Sequence, residues 1–507
     1  MKKIQLTLSP VILLVIVTLT TCAALSGRME APPAIRAHKR LTERNPIMTH
    51  TFGADPSALV YNGRVYLYMT ADTLEYDSDG EIKSNSYNTI NTIRVVSSAD
   101  LSNWIYHEPI KAAGSNGIAD WAQRSWAPAI TYRNMDGQDK FFLYFANNAS
   151  GVGVLTADSP LGPWSDPIGR ALVSRQTPNC SGVPWLFDPG VFVDDDGRAY
   201  LYFGGGVPEG RAANPGSARV VELGADMTSL IGDPVQIDIP YFFEAILMKK
   251  INGRYVLSYC TNWSVAAEDR QRLGINNAVI AVMTANNPMG PFTLEGTLFR
   301  NPGSYFDVWG NNHHDMFNFE GQWYLAYHSQ LLEESMGIDR KGYRVAHVDR
   351  ITMADGIPGS ANGTLRGVEQ VGRLDPYDWH PGALSGISAG TSFESIVLSD
   401  ASNPCEYASA LTDGAWLGVF GADFSDRGAA NINILARAGQ TGGCVVEVRL
   451  GSPFSNSQDS ELIGTLSIRN PVFTNYTVRL TRTVTDVQNI YFVYSDSFAL
   501  GGWQFTE

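Results

Sequence analysis

Asn62-Gly63-Arg64-Val65-Tyr66-Leu67-Tyr68 joins a tight-turn dipeptide to a strand that is apolar on both faces. The phrase returns as Asp136-Gly137 before Phe141-Phe142-Leu143-Tyr144 and as Asp196-Gly197 before Ala199-Tyr200-Leu201-Tyr202. It returns again as Asn252-Gly253 before Tyr255-Val256-Leu257-Ser258 and as Glu320-Gly321 before Trp323-Tyr324-Leu325-Ala326. Asn-Gly and Asp-Gly supply the positive φ angles of a two-residue hairpin turn, so each copy predicts two antiparallel strands. A second phrase recurs between them, as Asp158-Ser159-Pro160-Leu161-Gly162-Pro163-Trp164 and Asn287-Pro288-Met289-Gly290-Pro291-Phe292. The turns stand roughly 55 to 75 residues apart, which is long for an immunoglobulin-like strand pair and suits a four-stranded blade with insertions. Five copies predict an all-β, five-bladed β-propeller.

In a propeller the first strand of every blade lies beside the central axis, so the residues upstream of each turn should form a ring. Upstream of the five turns lie Asp55-Pro56, Ala127-Pro128, Asp188-Pro189, Glu244-Ala245 and His313-His314. Three carboxylates and a histidine are thus expected at one station. An acid that opens an apolar inner strand is costly to bury unless it is hydrogen-bonded or used. Three acids around one cavity would repel one another and shift their protonation. Two carboxyl groups facing each other across a sugar are the minimal machinery of glycoside hydrolysis, one protonating the leaving oxygen and the other activating water or attacking directly. Blades on opposite sides of a funnel favour the wider carboxyl spacing of an inverting enzyme.

Composition narrows the partners. Hydrophobic residues make up 44% and charged residues 17% of 507, which excludes a highly charged disordered chain and a polytopic membrane protein. The net charge of -14 argues against a nucleic-acid partner. Met1-Lys2-Lys3 followed by the apolar run Val11–Val17 predicts an export signal, hence a secreted, periplasmic or surface protein. Leu19-Thr20-Thr21-Cys22 is similar to a lipobox, but Thr21 stands where a small residue is usual, so lipidation of Cys22 and simple secretion both stay open. After export, Cys405 and Cys444 are available to pair, while Cys180 and Cys260 read as packed thiols. A monomer is expected.

The phrases Gly53-Ala54-Asp55-Pro56-Ser57, Ser125-Trp126-Ala127-Pro128-Ala129, Trp185-Leu186-Phe187-Asp188-Pro189, Phe243-Glu244-Ala245 and Gly310-Asn311-Asn312-His313-His314 resemble, in order, the motifs of glycoside hydrolase family 43. The resemblance runs from about Asn45 to Ile357. It implies that Asp55 is the general base, Glu244 the general acid and Asp188 the residue that raises and orients that acid, in an inverting reaction. It also implies that Trp126, Trp185, Phe243, Trp263 and Arg344 meet substrate. His313 is similar to the family's axial histidine, which implies either a structural calcium ion or a water-bonded ring. A departure is Ala245-Ile246-Leu247-Met248, where family members often carry small polar residues. Phe203-Gly204-Gly205-Gly206 and Tyr144-Phe145-Ala146-Asn147-Asn148 resemble the branch that removes α-L-arabinofuranosyl side chains from arabinoxylan in plant cell walls. β-Xylosidase or arabinan hydrolysis is the alternative, since pocket shape and not the acids separates these sugars. From another class comes a sugar-binding propeller without catalysis.

Beyond Ile357 a Gly- and Ser-rich passage leads to alternating runs such as Cys444–Leu450 and Ile490–Tyr494, which predict a β-sandwich. Gly414-Ala415-Trp416-Leu417 and Trp503-Gln504-Phe505 resemble a family 6 carbohydrate-binding module, yet Leu500-Gly501-Gly502 replaces that family's polar residues. Sugar binding and structural support therefore both stay open. The expected organisation is an export signal over 1–27, an N-terminal linker over 28–44, the propeller over 45–357, a second linker over 358–390 and the sandwich over 391–507.

Overall fold

The computed structural model describes residues 34–397, 404–439, 443–495 and 498–507. The expected export signal, with Cys22, lies outside the described residues. Five antiparallel sheets of four consecutive strands follow one another along the chain. Their inner strands are Ala54–Tyr61, Trp126–Met135, Gly190–Val193, Phe242–Ile251 and His314–Phe319. Each inner strand touches the next, and the fifth touches the first, so the blades close a ring.

The repeated aromatic strand follows from this closure. A blade is covered on both faces, so its strands need no polar side. Alternate residues along a strand point to opposite faces. In the first blade Val65 and Leu67 pack against the fifth blade, whereas Tyr66 and Tyr68 pack against the second. One buried cluster fills each of the five interblade gaps. The second strand also carries a tyrosine that reaches the next blade: Tyr68, Tyr144 and Tyr202 donate their hydroxyls to the carbonyls of Pro160, Met227 and Pro288. Pro160 and Pro288 belong to the second recurring phrase, which is thereby the acceptor turn of this latch. At the closing seam Asp315 accepts the Ala58 N–H at 2.8 Å, and Asn45 brackets Val348 through its N–H and its carbonyl.

Four of the five turns have both residues at positive φ, as the dipeptides predicted. The exception is Asp196-Gly197, where only the glycine is left-handed and the connection spans Asp194 to Arg198.

The C-terminal domain is a β-sandwich. One sheet orders Thr391–Val397, Pro404–Ala410, Phe498–Thr506, Ala429–Ala438 and Thr474–Val484; the other orders Ile387–Ala389, Ala415–Asp423, Val487–Tyr494, Cys444–Leu450 and Glu461–Ile468. Cys405 and Cys444 lie in opposite sheets and remain free thiols, so the expected option of a disulfide is not realised. Gly501 and Gly502 are covered by Leu435, Phe473 and Trp379, and a Cβ at Gly502 would lie 2.4 Å from the Trp379 ring.

Neither expected linker is free coil. Ile357–Ala361 is the outer strand of the fifth blade, so the propeller runs past 357. Leu384–Ser385 pairs with Trp104–Tyr106 at the edge of the first blade, while Ile387–Ala389 enters the sandwich. Upstream, Ile35 bonds Gly414, and its carbonyl accepts the Trp416 indole N–H. Asn103 exchanges two hydrogen bonds with the Phe420 backbone, and the Arg44 guanidinium lies 3.7 Å from the Phe420 ring centroid. The two domains are stitched together.

Candidate active site

Three of the five inner strands open with a bulge. Asp55, Ala127, Asp188 and Ala245 all have left-handed φ, between 35° and 59°, although none is glycine. The register slips at these points in the first, second and fourth blades. Such conformations cost about 1–3 kcal/mol each and cluster where geometry serves function. A bulge also re-aims side chains. Here the left-handed backbone turns Asp55 and Asp188 into one cleft. The shared register exposes one correction: the left-handed residue of the fourth blade is Ala245, so Glu244 stands one position earlier than Asp55 and Asp188, at the level of Ala54 and Trp126. The three acids do not share one station, yet they share one cleft.

That cleft has a volume of about 530 Å³ and is lined by Asp55, Asp188, Glu244, His313, Arg344, Trp126, Trp185, Phe243 and Trp263. These are the nine residues singled out from the sequence. Trp185, Phe187 and Phe243 meet edge to face at 5.2–5.3 Å and form an aromatic wall. Trp126 donates its indole N–H to the Tyr87 carbonyl, and Trp263 stands at the rim, 43% exposed. Gly205 lets this wall close, because a Cβ there would lie 2.3 Å from the Phe187 ring.

Arg344 is no surface cation. It is buried, gives Nη1 to Asp55 Oδ1 at 2.9 Å, and grips Asp72 with Nε and Nη2, each at 2.9 Å. Thr70 gives its hydroxyl to Asp55 Oδ2 at 2.7 Å. His328 Nδ1 accepts the Asp55 backbone N–H while Nε2 faces the Asn311 carbonyl, which fixes a neutral ring protonated on Nε2. Burial alone would raise the Asp55 carboxyl, but the Arg344 guanidinium leads the opposing interactions and holds it well below the usual carboxylate range. Asp55 is ionised.

Glu244 lies in the opposite environment. Burial, followed by the charges of Asp188 and Asp55, pushes its carboxyl well above the ordinary value, and Arg344 offsets only part of this. Its Oε1 is buried with no hydrogen-bond partner among the described residues, and the residue across the ladder is Cys260, not a donor-rich side chain. Asp188 is fixed by the backbone N–H of Ala245 at 3.1 Å, which ties it to the strand carrying the acid. His313 Nδ1 lies 3.5 Å from Asp188 Oδ2 and 3.7 Å from Asp55 Oδ1; burial opposes its charged form, but these carboxylates raise it overall.

A calcium ion and a water-bonded ring are both open at His313, and the side chains there supply few of the oxygens that calcium prefers. Calcium takes six to eight oxygens, and no group of three or more acidic, His or Cys ligands is gathered among the described residues. The ring faces carboxylates that already bind Arg344, Thr70 and Ala245. Thr70, Asp72, Tyr87 and His328 are not legible as site residues, because none falls in a strand-opening phrase or in a motif that resembles the family's.

Comparison with known proteins agrees with this geometry. The model of glycosyl hydrolases family 43 matches residues 43–358. An arabinoxylan arabinofuranohydrolase of Bacillus subtilis (strain 168) is 41% identical over 519 residues, covering 98% of this chain and 99% of the relative. One from Paenibacillus polymyxa is 41% identical over 481 residues, 91% of this chain and 74% of the relative. The crystal structure of a Bacillus subtilis family 43 arabinoxylan arabinofuranohydrolase in complex with cellotetraose superposes with a TM-score of 0.87 at 41% identity, covering 93% of this chain and 99% of the other. With the family match spanning all but the last residues of its propeller and its acids gathered in one cleft, the chain belongs to glycoside hydrolase family 43 and is a glycoside hydrolase.

Proposed function

We propose that this hydrolase removes α-L-arabinofuranosyl side chains from arabinoxylan with inversion of configuration. The observation that carries the reading is the opposed surroundings of two buried carboxyls in one cleft, Asp55 bound by Arg344 and Thr70 and Glu244 left with an unpartnered oxygen, which favour an ionised Asp55 and a protonated Glu244. The two arabinoxylan arabinofuranohydrolases matched over 91% and 98% of this chain support the choice of sugar.

Glu244 gives its proton to the oxygen that links arabinose to xylose as that bond breaks. Water held by Asp55 adds to the anomeric carbon from the other face and passes its proton to Asp55. Glu244 is left ionised and Asp55 protonated, and exchange with solvent restores both. A depressed carboxylate is a weak base, but the transition state carries positive charge on the sugar ring. An ionised group fixed by Arg344 and Thr70 stabilises that charge before it must take a proton. Asp188 repels negative charge on Glu244 and so keeps the acid loaded. We place the reaction outside the cytoplasm on the strength of the Met1–Ala24 export pattern, and we read the sandwich as support for the first blade.

The test is incubation with arabinoxylan, arabinan and aryl glycosides of arabinofuranose and xylopyranose, with products followed by NMR. Arabinose released from arabinoxylan and first appearing as the β anomer agrees with the proposal. Xylose from the aryl xylopyranoside with no arabinose from the polymer contradicts it.

A further inference from the structure

Next to the catalytic cleft lies a second depression of about 720 Å³, between the fourth and fifth blades. Trp263 lines both, so the two are continuous at that ring. The second depression is larger than the first and takes no part in the chemistry above. Its walls come from the helix Ala267–Leu273, the end of the strand Thr293–Phe299 and the turn Gly303–Phe306.

Its chemistry differs from that of the rest of the molecule. The chain carries 51 acidic against 37 basic residues, yet no Asp or Glu lines this depression, and Arg270 and Arg300 do. Both arginines are exposed. The Arg300 guanidinium lies 4.8 Å from the Tyr305 ring centroid, and no hydrogen bond or ion pair holds it among the described residues. Arg270 spends only Nε, on the Val265 carbonyl at 3.1 Å, which leaves its paired Nη groups free. Trp263 and Trp309, 43% and 52% exposed, supply flat faces of the kind that stack on sugar rings. Two unpaired guanidinium forks beside exposed indoles, with no competing carboxylate, match a saccharide that carries its own carboxylate.

We propose that this depression is an auxiliary subsite for a uronosyl branch on the same xylan chain whose arabinosyl group enters the catalytic cleft. The branch carboxylate meets Arg270 and Arg300, and the sugar ring lies against Trp309. Trp263 spans the turn of the chain between the two sites. The inference rests on the arabinosyl reading of the catalytic cleft and deepens it.

The test compares two arabinoxylan oligosaccharides of equal length, one neutral and one bearing a glucuronosyl branch, with an aryl arabinofuranoside as the control that fills the catalytic cleft alone. The native enzyme is expected to show a lower KM for the acidic oligosaccharide. The double variant Arg270→Gln/Arg300→Gln should raise that KM by about three- to tenfold, leaving the neutral oligosaccharide and the aryl substrate within twofold. Added salt should erode the same preference, since exposed charges are screened. Calorimetric binding to the Glu244→Gln protein, with and without the two arginine changes, reads the site without turnover. Equal affinity for the two oligosaccharides, or a preference untouched by the arginine changes and by salt, overturns the subsite. Failure to release arabinose from the aryl control overturns the underlying assignment instead, and the two failures are distinguishable.

Discussion

Asp55 and Glu244 are both buried carboxyls at the mouth of inner strands, and the protein drives them in opposite directions. Around Asp55 it places a guanidinium, a hydroxyl and a neutral imidazole, each aimed by a further residue: Asp72 aims Arg344, the Ala127 N–H orients the Thr70 hydroxyl, and Asn311 sets the tautomer of His328. Around Glu244 it places Cys260 and two like charges, and leaves an oxygen without a partner. Residue type does not separate the proposed base from the proposed acid. The difference lies in what the surrounding chain donates, and it explains how two carboxyls in one well hold different protonation at the same pH.

The comparison breaks most visibly when either carboxyl is neutralised. Glu244→Gln and Asp55→Asn should each lower kcat/KM on arabinoxylan by about 10³- to 10⁴-fold. They should differ with leaving group. An aryl arabinofuranoside with an acidic phenol needs little protonation, so it should recover much of the loss in Glu244→Gln and none in Asp55→Asn. Equal recovery in both variants contradicts the assigned roles.

Removing the cation that distinguishes the two sides comes next. The active form has Asp55 ionised and Glu244 protonated, so activity is lost as pH falls through the Asp55 value and as pH rises through that of Glu244. Arg344→Met removes the main interaction that depresses Asp55 and a minor one that opposes the rise of Glu244. The acid limb of the kcat/KM profile should therefore move up by about one to three units, and the alkaline limb should not move down. Activity at the optimum should fall by about a hundredfold. Asp188→Asn acts on the other side. With one repelling charge gone, Glu244 holds its proton less tightly, so the alkaline limb should move down by about one unit. An unmoved alkaline limb removes Asp188 from the tuning role. The smallest effect is expected for Asp72→Asn, which loosens the grip on Arg344 but leaves that charge in place; about a tenfold loss and a small rise of the acid limb follow. Both should be larger in Asp72→Ala.

Much of this frame was legible before any coordinates. Aromatic strands behind Gly turns announce blades because a blade is covered twice, and the Pro160 and Pro288 turns recur because Tyr68 and Tyr202 need acceptors. Asp55 and Asp188 stand out as Asp-Pro at strand openings. Glu244 was found despite sitting one residue out of register, an offset that depends on where the left-handed bulge falls and that no residue pattern marks. Thr70 ends the second strand of the first blade and Asp72 lies two residues beyond it, while His328 lies near the end of that of the fifth, so His328 reaches Asp55 only through the closed ring. The stitched segment 358–390 reads as a linker in the sequence because two- and three-residue strands leave no periodicity to detect. Gly and Ser in it serve close packing: a Cβ at Gly386 would lie 2.3 Å from the Phe420 ring.

The opposed protonation itself is open to direct observation. Infrared difference spectra of the resting enzyme against Glu244→Gln and against Asp55→Asn, taken at neutral pH, report each carboxyl separately. The account predicts that the protonated-carboxyl band disappears only in Glu244→Gln and that Asp55→Asn removes a carboxylate band. A carboxylate signal assigned to Glu244 under those conditions contradicts it.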